Sequence, residues 1–199
     1  MMKIFEVGIM RTGTTSLGLA YEILGFKHKG CDHILNEELN EKEDYNILFD
    51  MIDKYDAFED VPCQSVEVKI LDEKYPNSKF ILLERDDESW IKSLEYWSSP
   101  GLKENEDWKT WIKFDRELVT ERWVTDRDNL IKEHLDYKHE KYNIVKEYFR
   151  NRPDDLLVMN ICGGEGWEVL CLFLNKPIPS VSFPKLNVWA SDKNRFRSI

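Results

Sequence analysis

The chain has 199 residues, 42% of them hydrophobic, and a formal net charge of -10. That apolar content supports a packed core and excludes a disordered chain. The acidic balance excludes general binding to nucleic acid or to an anionic membrane surface, though one loop and a few arginines can still hold an anionic small molecule.

The length predicts one domain over 1–199. Cys31, Cys63, Cys162 and Cys171 have no C-x-x-C spacing and read as reduced, buried, small hydrophobes; no zinc pattern occurs, so no metal is expected. There is no long apolar run and no leader ahead of the first strand, which predicts a cytoplasmic protein.

Residues 4–9 form an apolar run that reads as a buried strand, and Leu17, Ala20, Tyr21 and Leu24 begin an amphipathic helix that Gly25 should end. Between them lies Gly8-Ile9-Met10-Arg11-Thr12-Gly13-Thr14-Thr15-Ser16. A strand, a glycine-bearing loop and a helix make a phosphate-binding layout, with backbone N–H groups turned inward and hydroxyls at the positive end of the helix. The Gly8 to Gly13 spacing matches the nucleotide P-loop, but Thr14 holds the lysine position and Arg11 is the loop's cation. The candidate phosphate-binding residues are therefore Arg11, Thr12, Gly13, Thr14, Thr15 and Ser16.

Residues 26–31 suggest a second short strand carrying His28. His28 and nearby His33 read as surface or hydrogen-bonded histidines. Residues 36–44 read as a loop or an exposed helix start, and Tyr45 to Ile52 as a helix ending near Tyr55. Residues 56–62 give a short strand with Glu59 and Asp60 at its carboxyl end, stopped by Pro62. Residues 65–75 read as a helix with Val66, Ile70 and Leu71 inward, broken by Pro76 and Asn77.

Residues 79–85 are the clearest strand, an unbroken apolar run suited to burial on both faces. Asp86, Asp87 and Glu88 open the next helix, which continues through Trp90, Ile91, Leu94 and Trp97. Residues 103–152 are helical in period, with one apolar stripe of Trp108, Trp111, Ile112, Leu118, Val119 and Trp123. A second runs through Leu130, Ile131, Leu135, Ile144, Val145 and Phe149, and both read as core packing. Residues 155–161 give the last strand, and a glycine-rich turn leads to a helix from Trp167 to Leu174. The tail is basic, with Lys185, Lys193, Arg195 and Arg197, and reads as solvated.

This alternation predicts a three-layer α/β/α fold with a central, mostly parallel sheet. Ligands of such sheets bind beyond the carboxyl ends of the strands. The Arg11 loop, Glu59 with Asp60, and Arg85 are thus expected around one crevice.

Three features, in this order, resemble the sulfotransferases that use 3′-phosphoadenosine 5′-phosphosulfate (PAPS). They are Arg11-Thr12-Gly13-Thr14-Thr15, Asp60-Val61-Pro62 at a strand end, and Arg85 after a central strand with Ser93 eight residues on. Gly164-Glu165-Gly166-Trp167-Glu168-Val169-Leu170-Cys171 and Phe183-Pro184-Lys185-Leu186-Asn187 look most like a subgroup of small sulfotransferase-like proteins. The resemblance implies metal-free, in-line sulfuryl transfer to a small-molecule acceptor, with 3′-phosphoadenosine 5′-phosphate (PAP) as product. Arg11 and the loop would hold the 5′-phosphate, and Arg85 and Ser93 the 3′-phosphate. Asp60 stands where many members have a catalytic His and would be the base; Glu59 is the runner-up, with His28 and His33 behind it. Arg11 stands where better-studied members have Lys, and the segment 103–152 usually shapes the acceptor pocket. The alternatives are a P-loop nucleotide kinase or NTPase, and a non-catalytic nucleotide-binding protein of the same fold.

Overall fold

The computed structural model of the chain describes residues 2–42, 44–98 and 121–186. Five parallel strands form one sheet in the order β2-β3-β1-β4-β5. They are β1 (Ile4–Glu6), β2 (His28–Lys29), β3 (Ala57–Phe58), β4 (Lys79–Leu83) and β5 (Leu156–Met159). The central strand β1 pairs Phe5 with Phe58 of β3 and with Phe80 of β4. Helices α1 (Thr14–Ile23), α2 (His33–Lys42), α3 (Tyr45–Ile52), α4 (Val68–Lys74), α5 (Asp87–Ser98), α6 (Arg127–Tyr148) and α7 (Trp167–Leu174) cover the sheet.

Strand alternation divides the core into two layers. Phe5, Phe58, Phe80 and Leu82 pack against Leu48 and Ile52 of α3, Leu71 of α4, Trp90 and Leu94 of α5, and Leu130 and Val145 of α6. The opposite set, Ile4, Ala57, Ile81 and Leu83, packs against Leu17 and Tyr21 of α1 and Leu170 and Leu174 of α7. The sheet is thus sandwiched between helices, as the alternating sequence predicts.

Some elements differ from expectation. The strands are shorter than their apolar runs because ladder pairing stops at Glu6 and Leu83, leaving the last residues to build loops. Residues 33–42 are helical although polar; the Asp32 carboxylate accepts from Leu35 N at 3.0 Å and Leu39 is the buried anchor. Val66 is extended between a 3-10 turn, Cys63–Ser65, and α4. Ile144 is 56% exposed, because its neighbour Val145 takes the core-facing position of α6. Cys63 and Cys171 are buried, but Cys31 and Cys162 are exposed, since both follow strand ends in loops at the open edge of the sheet. The stripe from Trp108 to Val119, and Lys193, Arg195 and Arg197, lie outside the described residues. Among the described residues no helix is long and apolar enough to cross a membrane.

Candidate functional site

The sheet order reverses at β1: the chain runs from β1 out to β2 and back through β3, then crosses to β4 and β5. The crevice beyond the carboxyl ends of β1 and β4 is the switch point at which such sheets bind ligands. Val7 N donates to Ile81 O at 2.9 Å, so the loop leaves β1 still in register with β4. Arg11 (φ +66°) and Gly13 (φ +108°) are left-handed and wrap the backbone into a concave turn. Thr12 is fully buried, and its hydroxyl donates to Ile9 O at 2.7 Å, bracing the turn from inside. Gly13 is the N-cap of α1 and no side chain caps the helix start. Thr14 is buried and Thr15 exposed. The Ser16 hydroxyl instead accepts from Leu186 N at 2.9 Å, tying α1 to the 177–186 segment.

The structure brings Arg11, Arg85 and Ser93 together. Arg85 Nη1 donates to Arg11 O at 2.9 Å, and Arg11 Nε donates to Ser93 Oγ at 3.1 Å. Trp90 Nε1 donates to Met10 O at 3.0 Å, so α5 holds the loop from a second side. Burial, and then the Arg85 charge beside it, pull the Arg11 pKa below the usual guanidinium range. Two cations side by side repel each other unless an anion joins them. The Arg85 guanidinium donates to Arg11 O and to Ser89 Oγ, Arg11 Nε donates to Ser93 Oγ, and Asp60 is the acid whose charge acts on Arg11. The two acids that follow Arg85 are held elsewhere: Asp86 accepts from Ser89 N at 2.8 Å and Ser89 Oγ at 2.5 Å, and Asp87 accepts from Lys138 at 2.6 Å and His139 at 2.9 Å.

A cavity of about 250 Å³ adjoins the loop, lined by apolar Ile9, Met10, Val61, Trp90 and Leu94 and by polar Asp60, Gln64 and His134. Asp60 is left-handed (φ +64°), and its Oδ1 accepts from Val61 N at 2.8 Å. Glu59, one residue earlier, turns the other way as strand alternation requires. It is 8% exposed and faces His28, whose Nε2 is 3.6 Å away, an ionic contact longer than a hydrogen bond. His28 Nδ1 also pairs with Glu22 at 3.2 Å. Burial lowers the His28 pKa, but these two acids outweigh it and raise the imidazole above its ordinary value. Glu59 and His28 are thus engaged with each other, and Asp60 is the acid that reaches the cavity. The His33 side chain lies outside the described residues.

Three contributors escaped the sequence reading. His134 of α6 stands in the cavity wall with its ring 6.3 Å from Trp90 and 6.1 Å from Trp123, and burial lowers its pKa. At neutral pH it is therefore an uncharged imidazole. Lys138, one helical turn on, anchors the Arg85 backbone by a 2.6 Å bond to Arg85 O. Glu6 is fully buried beneath the cavity floor, where it accepts from Gly8 N at 2.8 Å and pairs with the Gln64 amide. Burial pushes its carboxyl up to about 8. Nothing local marks His134 or Lys138. Glu6 does carry a signal, an acid inside an otherwise apolar buried strand.

A family model described as a sulfotransferase domain matches residues 3–191. A curated relative, Ava biosynthesis cluster protein M of Aspergillus versicolor, is 30% identical over 227 residues, covering 97% of this chain and 83% of the relative. The chain belongs to the sulfotransferase domain family.

Proposed function

We propose, from this membership and the paired arginines, that the chain transfers a sulfuryl group from PAPS to a hydroxyl or amine of a small acceptor in the cytoplasm. The observation that carries the reading is two neighbouring arginines, bonded through Arg85 Nη1 to Arg11 O and repelling each other, set beside an uncapped helix start. Cationic forks and the N–H groups at a helix start suit the phosphates of a nucleotide better than any neutral ligand. The residues present fit a bisphosphate donor.

The donor supplies a sulfuryl group already activated by its anhydride bond to the 5′-phosphate. Arg11, the loop N–H groups and the Thr14 and Thr15 hydroxyls bind that phosphate and stabilise the charge it gains as it departs. Arginine keeps its proton, so Arg11 acts by charge alone. Arg85 binds the 3′-phosphate. Ser93, which accepts from Arg11, links the two subsites. The acceptor occupies the cavity beside the loop, which at about 250 Å³ falls just below the usual range of small-molecule sites and suits a compact acceptor. Asp60 takes the proton of the attacking group. No metal enters this scheme.

The test is a calorimetric titration with PAP, ATP and ADP, without magnesium and then with it. Metal-independent PAP binding, weakened at least about tenfold by Arg85→Ala, is the expected result. Magnesium-dependent ATP binding with no PAP binding would replace this reading with a P-loop kinase.

A further inference from the structure

The sequence places three acids, Asp86, Asp87 and Glu88, directly after Arg85. An arginine followed by acids ordinarily pairs with one of them, and a paired arginine is a poor anion site. Here that pairing does not form. Ser89 intervenes on one side, its hydroxyl accepting from Arg85 Nε at 2.9 Å and donating to Asp86 Oδ2 at 2.5 Å. On the other side Lys138 reaches across from α6. Its ammonium donates at 2.6 Å to Arg85 O and at 2.6 Å to Asp87 Oδ1, while His139 takes the second carboxylate oxygen at 2.9 Å.

Lys138 is only 3% exposed, with its ammonium 5.2 Å from the Trp90 ring centre and 5.7 Å from that of Tyr142. Burying an ammonium is costly unless it is fully bonded. A hydrophobic side chain would fill this slot more simply, so the retained charge calls for a reason. We infer that Lys138 is a positioning residue for the donor site: it draws Asp87 away from Arg85 and fixes the Arg85 backbone, leaving that guanidinium open for the 3′-phosphate. The same face of α6 reinforces the arrangement. Lys141 Nζ donates to Gln64 O at 2.8 Å, Tyr142 Oη donates to Leu83 O at 2.5 Å, and His134 lines the cavity. One helix thus sets both the donor arginine and the acceptor wall.

The inference rests on the PAPS reading, and its test separates the two. PAP and AMP differ by the 3′-phosphate, so the ratio of their affinities reads the Arg85 subsite, while AMP alone reads the 5′-phosphate loop. In the wild-type chain PAP should bind more tightly than AMP. Lys138→Met should cut the PAP-to-AMP ratio about tenfold with AMP affinity unchanged. Lys138→Gln, which keeps a donor for Arg85 O but loses the charge on Asp87, should do the same if Met is poorly tolerated. Adding Asp87→Asn to either variant should restore most of the ratio, a rescue that mere packing damage would not show. A wild-type ratio near one overturns the PAPS reading and this inference with it. A large wild-type ratio that survives Lys138→Met, or a loss that Asp87→Asn does not repair, overturns the role of Lys138 alone.

Discussion

Glu6 illustrates what a single side chain does to this site. Its carboxyl has no exposed surface, and Asp60 and Glu59 add to the burial that raises it to about 8. At neutral pH it is mostly protonated, so it braces Gly8 and Gln64 without adding a negative charge beneath the Arg11 loop. The stability consequence has a definite sign. In the unfolded chain the group ionises near its ordinary value of 4.5, and in the folded chain near 8. Between those values the folded state holds the extra proton, so this group's contribution falls as pH rises through the window. The loss approaches about 1.4 kcal/mol per pH unit. Glu6→Gln, nearly isosteric and uncharged, should raise the melting temperature over wild type at pH 8, with the gain shrinking toward pH 5. Parallel melting curves across that range would mean that Glu6 is ionised in the fold. Legibility at this scale follows the reach of each contact. Arg11 and Arg85 are marked by their immediate neighbours in the chain. The roles of Lys138 and His134 at the site come from Arg85, in the loop after β4, and Trp90 of α5, more than forty positions away, which no local pattern records.

At the scale of elements, the join between β1 and α1 matters most. Gly13 sits at φ +108°, and a Cβ there would meet Ile161 Cβ at 3.1 Å. Both facts demand glycine: one is backbone strain and the other a packed neighbour from the loop after β5. Gly13→Ala should destabilise the fold by about 1–3 kcal/mol. It should weaken PAP binding further than that by tilting the N–H groups of the first turn. Chemical denaturation and calorimetry on one preparation check both, and an Ala variant with wild-type stability and PAP affinity would show that the turn tolerates another shape. The turn and α1 are legible because glycines, hydroxyls and an amphipathic start adjoin in sequence. By contrast α2 is obscured, since only the short pair Leu35 and Leu39 packs against the core among its described side chains and the rest is largely polar. The carboxyl ends of β3 and β4 are blurred for another reason. Asp60 and Arg85 continue the chain direction of their strands past the last ladder pair and build the loops there, while Glu59 N still reaches Lys29 O at 3.4 Å.

For the whole molecule, alternation of strands and helices fixes the class, but not the order of strands in the sheet. That order, with β1 between β3 and β4, separates the two tasks of the proposed reaction. The loops after β1 and β4 carry the arginines, whereas the turn after β3 brings Asp60 to the cavity between loop, α5 and α6. Donor binding and proton removal should therefore be separable by mutation. Asp60→Asn is the appropriate change, because asparagine tolerates the left-handed backbone at φ +64° and its amide oxygen can still accept from Val61 N. Asp60→Ala would confuse lost chemistry with backbone strain. With Asn, PAP affinity should stay within about threefold of wild type, whereas sulfuryl transfer from labelled PAPS to an accepted hydroxyl compound should fall about 100-fold or more, the usual size of a lost general base. Equal loss of binding and transfer would mean that the β3 turn supports the donor loop rather than the acceptor. Unchanged transfer would move the proton to another group on the cavity wall, and the neutral imidazole of His134 is the one placed there to receive it.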